Sequence, residues 1–312
     1  MARCFVTRDL PGSALERLRA AHDVDLWPDR LPPPADVLRE RAAQADGLLC
    51  LLTDAIDAGL IAACPDLIAI SNLAVGVNNV DLAAATARDI PVGYTPDVLT
   101  ESTADLTFAL ILAIARRLPE GMEAVRDGSW ITWEPAFLLG RDVGGATLGV
   151  VGMGRIGHAV AQRAEGFAMT VIQSSRSGGM PLGDLLELAD FVSIHCPLTP
   201  GTRDLIGAEQ LRLMKPTAYL INTARGGIVN QPALITALRE GWIAGAALDV
   251  TDPEPLPAGD SLLDAPNLIV LPHVGSATHA TRERMAGLAV DNLLAALAGD
   301  AMPHRYPPPP VG

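Results

Sequence analysis

An α/β fold built from two doubly wound, parallel-sheet domains is what this 312-residue sequence predicts. Three observations carry that expectation. From residue 4 to residue 93, short apolar runs alternate with helical patterns. The alternation resumes at Thr147 and continues to Leu271. The second series opens on a glycine-rich turn, Gly152-x-Gly154-x-x-Gly157. Strands that alternate with helices give mostly parallel sheets covered on both faces.

In order, the runs at 4–6, 24–27, 47–52, 67–70 and 90–93 read as strands, with helices at 14–21, 35–43, 57–63 and 82–88 between them. The glycine-containing loop at 71–80 follows a strand, at the sheet end where open α/β proteins bind ligands. Pro96 closes the series, and Thr100-Glu-Ser-Thr-Ala opens a long helix predicted to run through Arg117, with Thr and Ser as candidate caps. The domain crossing is placed here: residues 1–98 and 280–312 make one domain, and residues 99–279 the other. The second series has strands beginning at 147 and at 169–176, 191–195, 218–222, 245–250 and 268–271, with a loop at 177–179. A final helix at 280–298 is expected to return to the first domain, and the prolines at 307–310 to form an extended tail.

The glycine turn lies between a strand and an alanine-rich helical pattern at 159–167. In that setting Gly152 allows the tight turn, Gly154 lets the backbone approach a pyrophosphate, and Gly157 lets helix and strand pack closely, while the helix N-terminus offers unpaired N–H groups. This predicts a Rossmann-type dinucleotide site. The next strand selects the coenzyme. An NAD site wants a carboxylate at its end for the ribose 2′-hydroxyl, but here the strand ends Gln173-Ser-Ser-Arg176. With no carboxylate to repel a 2′-phosphate, and with Ser175 and Arg176 to bind one, NADPH is favoured over NADH.

Composition bounds the rest. Net charge is −13, which argues against non-specific nucleic-acid binding. Cys4, Cys50, Cys64 and Cys196 show no metal-ligand spacing and suit a reduced, cytoplasmic protein. The N-terminus shows no secretory pattern. The longest apolar run, 106–115, is about half of what a bilayer span needs, so no membrane segment is expected.

Three strand ends of the second series carry polar residues. Arg225, in Asn222-Thr-Ala-Arg-Gly-Gly227, could grip a carboxylate with two parallel hydrogen bonds or serve a structural ion pair. Asp249, Asp252 and Glu254 leave another strand together, with Glu254 held between two prolines, and these residues alone do not separate the two aspartates. His273 follows the last strand and His195 an inner one; a histidine is the natural proton carrier near neutral pH, and one of the two is expected to be structural. No metal site is indicated.

Taken in sequence, the loop Ala74-Val-Gly-Val-Asn-Asn-Val-Asp81, the glycine turn, Thr223-Ala-Arg-Gly-Gly227, Asp249-Val-Thr-Asp-Pro-Glu-Pro255 and Pro272-His-Val-Gly-Ser-Ala-Thr278 resemble the D-isomer-specific 2-hydroxyacid dehydrogenases over nearly the whole chain. Within that family, Gly93-Tyr-Thr-Pro-Asp-Val-Leu-Thr100, Arg116-Arg-Leu-Pro119 and Gly128-Ser-Trp-Ile-Thr-Trp133 are similar to glyoxylate/hydroxypyruvate reductases. The resemblance implies a flavodoxin-like substrate domain beside the coenzyme domain, with the site in the cleft, and reduction of glyoxylate to glycolate and hydroxypyruvate to D-glycerate. It implies a catalytic set of Arg225, Glu254 and His273, with Arg225 and the amides of Val75 and Gly76 on the substrate carboxylate. His273 would give a proton to the 2-oxo oxygen, and Glu254 would stabilise its protonated form. Coenzyme would be held by Gly152, Met153, Gly154, Arg155, Ile156, Gly157, Ser175, Arg176, Thr223, Ala224 and Gly275, by Pro197 and Thr202 on the adenosine side, and by Asp249 and Thr103 toward the nicotinamide. Residues 120–145 would form a dimerisation arm, with Trp133 reaching the active site of the partner in a homodimer.

Two other readings compete. One is an NAD-linked relative acting on phosphite, formate or D-lactate, although Leu73-Ala-Val-Gly76 lacks the lysine expected of a phosphite enzyme. The other is a non-catalytic, dinucleotide-sensing corepressor.

Overall fold

The computed structural model describes residues 1–176 and 178–307. It divides into two compact units, one of Met1–Leu99 with the segment from Ala277 onward, the other Thr100–Ser276.

The first unit carries β1 (Arg3–Val6), α1 (Ala14–Ala21), β2 (Asp23–Leu26), α2 (Ala35–Ala42), β3 (Gly47–Cys50), α3 (Ala58–Ala63), β4 (Ala69–Asn72), α4 (Leu82–Ala87) and β5 (Val92–Gly93). The sheet order is β2-β1-β3-β4-β5, every pairing parallel, which is the doubly wound flavodoxin order. β3 and β4 are buried along their whole length; β3 reads as an unbroken apolar run for that reason, while β4 ends on the buried polar Ser71 and Asn72. Aspartates start two of the helices: Asp57 accepts from the Leu60 N–H at 2.7 Å and Asp81 from that of Ala84 at 2.9 Å. The C-terminal helix, His279–Leu297, lies on the sheet, its Leu293 against Gly47 and its Ala289 carbonyl accepting from the Ser71 hydroxyl at 2.7 Å.

The second unit carries α5 (Thr100–Ala115), α6 (Leu118–Arg126), β6 (Thr147–Val151), α7 (Arg155–Glu165), β7 (Thr170–Ser175), β8 (Gly178–Gly179), α8 (Leu182–Leu188), β9 (Phe191–Ile194), α9 (Ala208–Leu213), β10 (Tyr219–Asn222), α10 (Gln231–Arg239), β11 (Gly245–Leu248) and β12 (Leu268–Val270). Its strand order is β12-β11-β10-β9-β6-β7-β8, with only β8 antiparallel. The order reverses between β6 and β9, which creates the crevice where open α/β sheets take their ligands. One apolar cluster, around Leu186, Leu220 and Leu238, covers one face. A second, around Ile111, Leu148 and Val160, covers the other.

Two local expectations need correction. The helix opening at Thr100 stops at Ala115, not Arg117: Arg117 takes a left-handed φ of 53°, and a new helix starts at Leu118 with Pro119 in its first turn. Proline has no N–H for an i−4 carbonyl and suits a helix start, so the chain breaks and restarts there. The stretch after Arg176 is not simply loop. Gly178 and Gly179 pair antiparallel with Ser175 and Ser174, a strand too short and side-chain-free to leave an apolar pattern. Ser177, and the proline tail beyond Pro307, lie outside the described residues.

Candidate active site

Gly152 ends β6 with φ +97°, and a β-carbon there would fall 2.5 Å from the backbone nitrogen of Cys196 at the end of β9. The turn therefore fits the switch point only as glycine. A β-carbon on Gly157 would fall 2.3 Å from the Gly152 carbonyl, so α7 packs directly on the turn, whereas one on Gly154 would meet nothing within 4 Å. The N-cap of α7 is Gly154, with no side chain closing the helix end. The backbone amides at a helix N-terminus and open space beside Gly154 suit a pyrophosphate, so these residues fit a dinucleotide. The Gly157→Ala variant is expected to weaken coenzyme binding by about 10-fold or more, as overpacking forces the turn apart. Fluorescence titration with coenzyme checks this, and unaltered affinity would count against the turn as the binding element.

At the end of β7 the Ser175 hydroxyl donates to the Gly178 carbonyl at 2.9 Å, and Arg176 is exposed. Beyond β9, Thr202 donates to the Pro197 carbonyl at 2.6 Å and its oxygen accepts from the Thr199 N–H at 2.8 Å, closing that loop on itself. At the end of β10 the buried Thr223 hydroxyl meets that of Thr107 on α5 at 3.0 Å.

The charged residues sit on the neighbouring strand ends. Arg225 leaves β10 on a turn shaped by Asn222, whose side-chain amide donates to the Arg225 carbonyl at 2.9 Å while its oxygen accepts from the Ala224 N–H at 3.0 Å. The guanidinium donates to the Ala224 carbonyl at 2.7 Å, and among the described residues it forms no ion pair. Burial lowers its pKa, an effect opposed by the charge of Glu254. The structural ion pair considered for Arg225 is therefore absent among the described residues.

The Nδ1 of His273, beyond β12, donates to Glu254 Oε1 at 2.5 Å, so the carboxylate is joined to the imidazole across 19 residues of chain. Both side chains keep some exposure, 23% for His273 and 29% for Glu254, which leaves the ring in reach of a ligand. Asp249 is instead buried, and it accepts the N–H groups of Val274 and Gly275. Asp252 pairs with Arg203 at 3.1 Å. The carboxylates that the sequence left together thus separate into three tasks. The Nε2 of His195 meets the Ser193 hydroxyl at 2.7 Å, and desolvation pushes its pKa down to about 4.

In the first unit, the loop holding Val75 and Gly76 is tied down by Asn72, which donates to the Gly76 carbonyl at 3.0 Å and to Asn79 at 3.1 Å. The N–H groups of Val75 and Gly76 have no acceptor among the described residues. Trp133 is 79% exposed, in company with Trp130, Ile131 and Leu139. No His, Cys, Asp and Glu cluster of metal-binding kind occurs among the described residues, and no helix among them is long and apolar enough to cross a membrane. Asn222 is the site residue that sequence reasoning passed over. Its signal was an asparagine ending a buried strand three positions before an arginine, a side chain able to replace backbone partners in a turn.

A glycine turn at the switch point of this sheet, with an imidazole–carboxylate pair and a guanidinium that forms no ion pair among the described residues on adjoining strand ends, fits a nicotinamide-dinucleotide-dependent dehydrogenase. Residues 108–275 match the model of the D-isomer specific 2-hydroxyacid dehydrogenase NAD binding domain. The chain is similar to the glyoxylate reductase of Korarchaeum cryptofilum, 49% identical over 97% of this chain and 95% of the relative. It is similar in structure to a protein of Thermus thermophilus, with a TM-score of 0.94 and 50% identity over 98% of this chain and 100% of the other. An NADPH-dependent glyoxylate/hydroxypyruvate reductase of Sinorhizobium meliloti, crystallised with NADP and malonate, superposes with a TM-score of 0.86 at 34% identity, over 97% of this chain and 96% of its own. The protein belongs to the D-isomer-specific 2-hydroxyacid dehydrogenase family.

Proposed function

We propose that this protein reduces small 2-oxo acids, glyoxylate to glycolate and hydroxypyruvate to D-glycerate, with NADPH as the preferred coenzyme. The observation that carries the reading is the Glu254–His273 pair in the same unit as the glycine turn and the unpaired Arg225. The names of the relatives support the substrate class, and the Sinorhizobium enzyme supports the coenzyme.

Gly152 to Gly157, with Ser175 and Arg176 at the end of β7, would hold the dinucleotide; Thr103, Pro197, Thr202, Thr223, Ala224 and Gly275 line its remaining length in this proposal. Bound there, the nicotinamide supplies the hydride. Arg225, with the amides of Val75 and Gly76, holds the substrate carboxylate. Protonated His273 keeps its Nδ1 hydrogen on Glu254 and gives its Nε2 proton to the 2-oxo oxygen as the adjoining carbon is reduced. The products are a 2-hydroxy acid and a neutral imidazole, which takes its next proton from solvent. Residues 1–98 and 280–312 act as the substrate domain and 99–279 as the coenzyme domain. The exposed Trp130, Ile131, Trp133 and Leu139 support a homodimer in which Trp133 closes the partner's site. The four free cysteines suit a cytoplasmic setting.

Mixing the protein with glyoxylate and either coenzyme, and following absorbance, tests the reading. NADPH is expected to give at least about 10-fold higher kcat/KM than NADH, the worth of one charge-assisted contact, and Arg176→Ala to abolish that difference. A preference for NADH would reject the coenzyme assignment, and no turnover with either would reject the function.

A further inference from the structure

We propose that Asp249 is a positioning residue for His273, holding the backbone of the 273–275 turn so that the imidazole stays on Glu254. The inference rests on His273 being the general acid of the proposed function.

Asp249 follows β11 and is 1% exposed. Its Oδ1 accepts the Val274 N–H at 2.7 Å, its Oδ2 the Gly275 N–H at 2.8 Å, and its carbonyl the His273 N–H at 2.8 Å. One residue thus takes the amides of three in a row. Asp249 is itself anchored, its N–H donating to the Asn222 carbonyl at 2.9 Å.

What the grip achieves is visible in His273, whose φ of 54° lies in the left-handed region. A residue with a β-carbon stays there only where its surroundings over-determine it. Freed of Asp249, residues 273–275 would relax toward an extended path and carry Nδ1 away from Glu254. Burial raises the Asp249 pKa while the two amides work against that rise, so carboxylate and turn support each other. The family resemblance points Asp249 toward the nicotinamide instead. The two roles differ in what they change: a positioning residue acts on turnover, a coenzyme ligand on coenzyme affinity.

The test is Asp249→Asn in the full chain, where one amide N–H keeps an acceptor and the other meets an NH₂ group. We expect kcat with glyoxylate to fall by about 10- to 100-fold, as for a misplaced catalytic group. The Kd for NADPH, from fluorescence titration, should stay within about 2-fold of wild type, and adding Asp249→Asn to His273→Gln should lower the residual rate by no more than about 2-fold, because the effect passes through the imidazole. Asp249→Ser, whose single hydroxyl is too short to take both the Val274 and Gly275 amides, gives the same test and serves if Asp249→Asn does not fold. An undiminished kcat, a Kd that rises in step with the loss, or a full-sized loss in the His273→Gln background would overturn the proposal. If the wild-type chain reduces no 2-oxo acid, the function fails separately. The imidazole ¹⁵N shifts of His273, assigned by their absence in His273→Gln, then decide: Asp249→Asn is expected to move them as the bond to Glu254 opens, and unmoved shifts overturn the positioning role.

Discussion

Replacing His273 by alanine is expected to lower kcat for glyoxylate by about 10²- to 10⁴-fold, the usual contribution of a placed proton donor. Binding of NADPH should change little, since the glycine turn and the end of β7 are untouched. The size of the effect follows from the geometry. Nδ1 is committed to Glu254, so the proposed proton transfer would fall to Nε2, and the ring retains enough exposure to meet a small anion. His195→Ala is the matching control. Desolvation brings the His195 pKa down to about 4, so near neutral pH that ring is uncharged and has no labile proton of the right strength to give. Stopped-flow and steady-state rates on both variants decide between them. Full activity in His273→Ala, or a collapse confined to His195→Ala, would move the acid elsewhere.

The contrast between the two histidines shows how far the sequence could be read. Both follow apolar strand runs, and nothing local tells them apart. Their difference comes from the sheet: β9 lies between β6 and β10, and its own Ser193 meets the ring of His195, whereas β12 is an edge strand with a neighbour on one side only. The same limit applied to Asp249, Asp252 and Glu254. Which of them meets the imidazole depends on β11 pairing with β12, with Leu248 beside Val270, and that register is a long-range fact. The glycine turn was legible because its requirement is local, a positive φ and a close approach written directly in residue type. The strand and helix alternation was legible for a similar reason, as the buried strands carry continuous apolar runs. The break at Arg117 was half legible: Pro119 announced a helix start, but the left-handed residue before it carried no mark.

Arg225→Lys is expected to raise the KM for glyoxylate by about 10- to 100-fold, the worth of one charged hydrogen bond lost from a bidentate pair. Thermal stability should hold, because the guanidinium forms no ion pair among the described residues and its one hydrogen bond goes to the adjacent Ala224 carbonyl. Withdrawal from water already disfavours its charge, as the lowered pKa records, so an arriving carboxylate relieves a cost that burial imposes. Lysine meets that carboxylate at one point only, and the same burial acts more strongly on an ammonium, whose pKa shifts readily. Asn222 continues to shape the turn in the variant, so the change reads out side-chain chemistry and not loop position. Steady-state kinetics at saturating NADPH separate KM from kcat. If both constants were unaltered, the carboxylate would have to be held by other donors.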